Sequence, residues 1–317
     1  MKTVFIIIAI VLVIAGIALL GSAFAASRFD FSNMGAQELE TNTYTLTEDF
    51  SDIEISTNES EIILKPSDDG SFRAVCKESE KMRHTVAVED GTLKIGVTDT
   101  RKWIDRIAFN RENPEVTIYL PKSVYGSLKI EGHTGDAVVP GDFSFGTIDL
   151  KLTTGDVECA ASVSGKCSIT ATTGDVKLSG VSAASIDLSV TTGHVIAENV
   201  DCGGNITLGI GTGKTAFIDV RCASLTISGH TGDVGLKNVL ATGSFDITVS
   251  TGDVVFDSCD AEEIRVEAST GDVIGTLRSG KNFNAKASTG KVTVPESTSG
   301  GKCDITTTTG NINIRVE

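Results

Sequence analysis

The sequence predicts an all-β protein: a right-handed, single-stranded parallel β-helix (β-solenoid) of about ten coils of 19–20 residues, preceded by one N-terminal transmembrane helix. Three observations predict it. A Thr-Gly pair recurs ten times at steps of 19 or 20 residues. Apolar and polar residues alternate on both sides of each pair. An unbroken apolar run opens the chain.

Residues 1–27 are read as the membrane segment. Val4 to Leu20 carry no polar side chain, and no charge appears between Lys2 and Arg28. As a helix, Val4 to Ala26 would be ~35 Å long, enough to span a bilayer core. Lys2 and the amino terminus favour an N-inside orientation. The expectation is a single-pass signal anchor in the cell membrane, with the C-terminal body extracytoplasmic. Ala23-Phe24-Ala25 also fits a signal-peptidase site, and cleavage there would still export the body. Leu19-Leu20-Gly21-Ser22 resembles a lipoprotein box, but Ser22 stands where the lipidated cysteine should be.

Residues 28–125 read as an irregular β segment capping the solenoid. Alternating strands are expected at Ser51–Thr57, Glu61–Lys65, Phe72–Lys77, His84–Glu89, Thr92–Val97 and Glu115–Leu120. Asp90-Gly91 carries the signal of a tight hairpin. The segment reads as degenerate coils with inserted hairpins, covering an edge that would otherwise recruit another chain. Arg101, Lys102, Trp103 and Arg106 put the only Trp inside a basic cluster, a candidate contact with lipid headgroups or a partner. The competing reading is a Trp packed beneath a hairpin.

Residues 126–317 hold the regular repeats. The turn threonines are Thr134, Thr154, Thr173, Thr192, Thr212, Thr231, Thr251, Thr270, Thr289 and Thr309. Four residues before them stand Ile130, Leu150, Ile169, Leu188, Leu208, Ile227, Ile247, Val266 and Ile305; three after stand mostly Val. Such period-two alternation marks strands with one buried face. One copy cannot bury that face, but stacked copies can, like upon like. Parallel pairing at ~4.8 Å would make a rod of roughly 48 Å, and parallel crossovers are right-handed. Glycine supplies a positive φ at the turn, and the Asp that follows bonds nearby backbone. Pro140 and Pro295 fall where a strand ends. At the far end, NINIRVE offers Arg315 and Glu317 as edge protection.

Several chemistries are excluded or demoted. A net charge of −15 opposes nucleic-acid binding. Gly209–Thr215 (GIGTGKT) is not a phosphate loop: Leu208 occupies the first glycine position, and a strand follows instead of a helix. No nucleotide is therefore expected. The seven cysteines form no C-x-x-C pair and read as small core residues. Cys202 and Cys222 could stack on adjacent coils, which leaves a disulfide as the alternative. His84, His133, His194 and His230 read as dispersed turn histidines, and no nucleophile–base constellation is visible. The Ser/Thr-rich turn edge does not make one flat array for ice, because neighbouring residues on a strand point to opposite faces.

The residue after each turn glycine forms a column: Asp136, Asp156, Asp175, His194, Lys214, Asp233, Asp253, Asp272, Lys291 and Asn311. The six aspartates could form a calcium ladder, though the motif of calcium-loaded β-rolls is absent. The leading reading is a solvated turn ladder. Carboxylates ~5 Å apart also resemble a retaining glycosidase pair, but nothing supplies the distinct environments that separate acid from base. No catalytic residue and no cofactor is expected.

With these features in hand, the chain resembles the bacterial putative-adhesin family of Thr-Gly-Asp-Val β-strand-repeat proteins of the Gram-positive cell envelope, a domain of unknown function. VTIYLP at Val116–Pro121 and GGKCDITTTTGNI at Gly300–Ile312 carry the likeness. The resemblance implies a β-helical fold at the cell envelope, links some relatives to envelope stress, and implies no catalytic residue. The resulting expectation is a non-enzymatic, membrane-anchored binding or scaffold protein whose partner is an envelope protein or glycan. The alternatives are a polysaccharide-active β-helix enzyme and a calcium-stiffened surface rod.

Overall fold

A computed structural model describes residues 39–101, 113–296 and 299–317. The membrane segment expected at 4–26 lies outside the described residues, as do Lys102, Trp103 and Arg106. Among the described residues no helix is long and apolar enough to cross a membrane.

The body, residues 39–99 and 113–317, is a β-solenoid. Each repeat runs strand, Thr-Gly turn, strand, corner. Successive repeats pair in parallel, with the turn threonines in register: Thr134 beside Thr154, then Thr173, Thr192, Thr212, Thr231, Thr251 and Thr270. The register follows from the side chains. The apolar residues four places before the turns stack into one stripe, from Ile130 to Ile305, each no more than 1% exposed except Ala285 of the Thr289 copy, which is half-buried. A slip of one residue would turn that stripe to water. Val157, Val176, Val195, Val234, Val254, Val273 and Ile312 make the matching stripe after the turn, where Thr215 stands in for a valine. The Thr215 hydroxyl is buried there without a hydrogen-bond partner.

The turn glycines, from Gly135 to Gly310, have φ between 125° and 150°, a range that side chains rarely adopt. They also stack closely: a Cβ on any of them would lie 1.8–2.4 Å from a carbonyl oxygen of the neighbouring turn. Both constraints demand glycine. The solenoid makes about nine turns, not ten. The copy at Thr289 is degenerate: its second strand is only Val292–Thr293, both exposed.

The chain order breaks at both ends. Strands Asp52–Thr57 and Glu61–Pro66 form a coil beside the Thr134 coil. Beyond them lie Thr92–Asp99 and Glu115–Leu120, which come later in sequence. Antiparallel strands then close this end. Met82–Glu89 pairs with Thr92–Asp99 through a hairpin at Asp90-Gly91, where both residues have positive φ. Phe72–Glu78 pairs with Glu115–Leu120, and Glu40–Leu46 adds outside it.

At the other end the final coil, Lys302–Thr309 with Ile312–Val316, sits between the Thr270 coil and the Thr289 coil. The expectation that NINIRVE forms the outer edge is therefore corrected. The reason lies in the apolar faces. Cys303, Ile305, Ile312 and Ile314 are fully buried, whereas strand Asn282–Thr289 offers only Phe283, Ala285 and Ala287, which are half-buried. The stronger face takes the place with a neighbour on each side. The weaker strand, with Lys286 on its outer face, takes the edge, where a charged side chain discourages further pairing.

Candidate functional site

The turn column was the strongest sequence candidate. The structure makes it a chain of side-chain-to-backbone hydrogen bonds running along the solenoid. The N–H of Asp156 donates to Asp136 Oδ1 at 2.7 Å, that of Asp175 to Asp156 Oδ1 at 2.7 Å, and that of His194 to Asp175 Oδ1 at 2.7 Å. The N–H of Lys214 donates to His194 Nδ1 at 2.9 Å, so the imidazole carries its proton on Nε2. The series resumes from Asp253 to Asp233, Asp272 to Asp253, Asn311 to Asp272 and Lys291 to Asn311. What the column needs is an acceptor one bond beyond Cγ or within the ring, which Asp, Asn and His Nδ1 all provide. Lys214 has none, and its Nζ pairs instead with Asp233 at 3.1 Å. The Asp253 N–H and Lys214 hold Asp233 below the usual carboxylate range. One oxygen of each bonded aspartate thus satisfies a stacked backbone N–H, which accounts for the residue type without an ion.

A second cluster was missed in the sequence. Glu78 and His84 occupy inward positions on the capping strands and are buried. Glu78 Oε1 accepts from Asn42 Nδ2 at 2.7 Å and from the Tyr44 hydroxyl at 2.8 Å. Its Oε2 accepts from the His84 backbone N–H at 2.6 Å and from His84 Nδ1 at 2.8 Å. On the other side of the ring, His84 Nε2 lies 3.0 Å from Ser60 Oγ. Burial alone would raise the Glu78 carboxyl, but these four hydrogen bonds outweigh it and hold it below its ordinary value. Burial keeps His84 below the usual imidazole range despite the neighbouring carboxylate. The pair is therefore a carboxylate and a neutral ring, with Nδ1–H donating to Glu78 and Ser60 O–H donating to Nε2.

Acid, imidazole and hydroxyl follow the order of a hydrolytic triad. Ser60, however, is only 1% exposed, so no substrate carbonyl reaches it. The cluster instead binds strands together: Asn42 and Tyr44 from the outermost strand, Glu78 and His84 from the next two, and Ser60 from the turn of the first coil. Ser60 holds the glycine place in that turn, since a Cβ on Gly135 would lie 2.4 Å from the Ser60 carbonyl oxygen. His84 is thus not the exposed turn histidine expected. The signal was present in the register: in FRAVCKE and MRHTVAVE, alternation points Glu78 and His84 inward with Cys76 and Met82.

With this architecture established, the likeness to known proteins falls into place. The Toastrack DUF4097 family model matches residues 50–221 and 203–317. The chain belongs to this family. Among solved structures, a putative adhesin from Parabacteroides distasonis resembles the Toastrack chain at 13% identity and a TM-score of 0.50, covering 89% of this chain and 98% of its own. A putative adhesin from Bacteroides fragilis follows at 17% identity and TM-score 0.43, covering 89% of this chain and 100% of its own. A putative lipid binding protein from Parabacteroides distasonis has 16% identity and TM-score 0.41, covering 88% of this chain and 97% of its own. At 13% identity the likeness to the first of these concerns the fold alone. No curated protein matches the chain.

The sides of the Toastrack solenoid carry the remaining candidates. All seven cysteines are free and buried, so Cys202 and Cys222 form no disulfide. Of the basic cluster at 101–106, Arg101 is described, and it is buried. A second column of corner residues, Asn199, Asp219 and Asn238, adopts φ of 53°, 56° and 51° and lines a shallow polar groove with Asp201 and Arg221. On the outward face after the turns, Ile196 pairs with Ala216, Ala216 with Gly235, Gly235 with Val255 and Val255 with Ile274. These five successive coils present no polar side chain at that position. Ile196 and Val255 are 36% and 37% exposed. Lys177 and Asn313 bound the stripe.

Proposed function

We propose that this Toastrack protein is a non-enzymatic binding or scaffold protein, anchored in the cell membrane by residues 4–26 with its solenoid on the outer side. Its partner is an envelope protein or glycan. The observation that supports this is the outward stripe Ile196–Ala216–Gly235–Val255–Ile274. It is an apolar row on the outward face of five adjacent coils, and contiguous apolar surface marks interaction sites. Stacked repeats present it rigidly, so little ordering cost falls on association. The polar residues that recur along the turns are engaged in the stacking, and the buried Ser60–His84–Glu78 relay is closed to substrate. Both features speak for recognition over turnover.

The test is capture from envelope fractions with the full chain, beside a variant carrying Ile196→Asp and Val255→Asp. A partner held at native salt by the wild type and lost with the double variant supports the reading. Equal recovery by both, or none by either, refutes it. Incubation with envelope glycans addresses the enzymatic alternative: release of new chain ends that disappears in Asp156→Asn would replace binding with catalysis.

A further inference from the structure

We propose that Cys76, Glu78 and His84 form a zinc(II) site that ties two strands of the antiparallel cap to each other. Among the described residues, ligand atoms of three such side chains converge only here, all within 4.8 Å of one another. They come from two inward places on strand Phe72–Glu78 and one on strand Met82–Glu89, and the tight turn closed by the Ser79–Met82 bridge brings the two strand ends together. Thiolate, imidazole and carboxylate together are a donor set suited to zinc, which takes four ligands tetrahedrally. Bonds of about 2.0–2.3 Å place tetrahedral ligand atoms roughly 3.3–3.8 Å apart. His84 Nδ1 and Glu78 Oε2 are 2.8 Å apart, and the thiol lies within the same cluster. Small side-chain rotations therefore bring all three into range, with a water as the fourth ligand.

The surrounding contacts fit a bound ion as well as the ring proton. Metal-ligating histidines generally donate their other ring N–H to an acceptor that fixes the ring, and ligating carboxylates are themselves hydrogen-bonded. Ser60 Oγ stands at Nε2, and Asn42 and Tyr44 stand at Glu78 Oε1. On binding, the Nδ1 proton gives way to the ion, and the ring carries its proton on Nε2. The Ser60 hydroxyl turns from donor to acceptor. The Cys76 thiol, which burial pushes up to about 12, loses its proton to the ion's charge. Imidazole and carboxylate keep their net charge, so each zinc bound releases one proton, from Cys76.

The experiment uses the full chain, stripped with chelator and titrated with cobalt(II), then zinc(II). The expected result is one ion per chain, a thiolate-to-cobalt charge-transfer band, loss of that band in Cys76→Ser, and its displacement by zinc. X-ray absorption on the zinc-loaded wild type should show a single sulfur neighbour at about 2.3 Å with nitrogen and oxygen beside it. This measurement decides the matter even if the variants fold poorly. A zinc shell without sulfur, a cobalt band that survives in Cys76→Ser, or no uptake at all overturns the site.

Discussion

Gly213→Ala and Gly209→Ala place the same added methyl four residues apart in GIGTGKT and should have opposite effects. Gly213 has φ 145°, and a Cβ there would lie 1.8 Å from the Gly193 carbonyl oxygen. That backbone region costs a side chain about 1–3 kcal/mol. Relief of the overlap must also push adjacent stacked turns away from each other, where the Gly213 N–H donates to Thr231 O at 2.9 Å and the Gly193 N–H to Thr212 O at 2.9 Å. Each weakened bond costs about 1 kcal/mol. The total is about 3–5 kcal/mol, or a melting temperature lower by roughly 6–20 °C at the 2–4 °C per kcal/mol expected for a chain of this size. Gly209 lies within a strand, and a Cβ there meets nothing within 4 Å. Its replacement removes unfolded-state freedom and should stabilise by about 0.4–1 kcal/mol. Calorimetry of the two variants measures the difference, and amide exchange should show the Gly213→Ala loss centred on the Thr192, Thr212 and Thr231 coils. Equal melting of the two variants would refute the stacked-turn account.

Three further outcomes follow from the same structure. Thr215→Val removes a buried hydroxyl that has no partner and completes a valine stripe, so the denaturation midpoint should rise by the equivalent of about 1 kcal/mol. Asp175→Ala deletes the acceptor for the His194 N–H and should cost about 0.5–1.5 kcal/mol, while Asp175→Asn keeps an acceptor and should melt close to the wild type. A calcium ladder predicts instead that Asp175→Asn, like Asp175→Ala, loses a calcium-dependent rise in melting temperature. Acidification should weaken the cap in two steps. His84 is held below its ordinary pKa, so the folded state binds fewer protons than the unfolded one, and stability falls as pH drops through the ordinary imidazole range near 6.5. Glu78 is also held low, so its contribution is present above the ordinary carboxylate range near 4.3 and is lost as pH falls through its folded value. Melting curves from pH 7 down to about 2 measure both, and His84→Gln should remove the first step.

The repeats were legible because their spacing, alternation and turn chemistry agree at every copy, each testifying to the same register. Ile130 to Ile305 form one stripe in the letters alone. The coil order at the ends was not legible, because every copy shares that register: Thr270 aligns with Thr309 or Thr289 equally well, and only the depth of each apolar face decides. The Asp column was visible as a pattern but not as a bonding scheme. His194 and Asn311 look like departures from aspartate until the shared acceptor is recognised. The Ser60–His84–Glu78 cluster was hidden because its members are 24 and 6 residues apart and meet only when the cap folds over the turn. A pair of polar residues at inward places of alternating strands was the available clue.

The placement of residues 302–317 bears on how the molecule is made. A ribosome makes these residues after strand Asn282–Thr289, yet their berth lies one place inside that earlier coil. While these residues are still in the tunnel, strand Asn282–Thr289 meets the vacant flank of Glu263–Thr270 in a matching alignment and can lodge there. Completion then requires the newcomer to displace it outward. A chain without residues 302–317 would close over the gap and look whole, one rung shorter, so these residues work as a keystone set after the coil they displace.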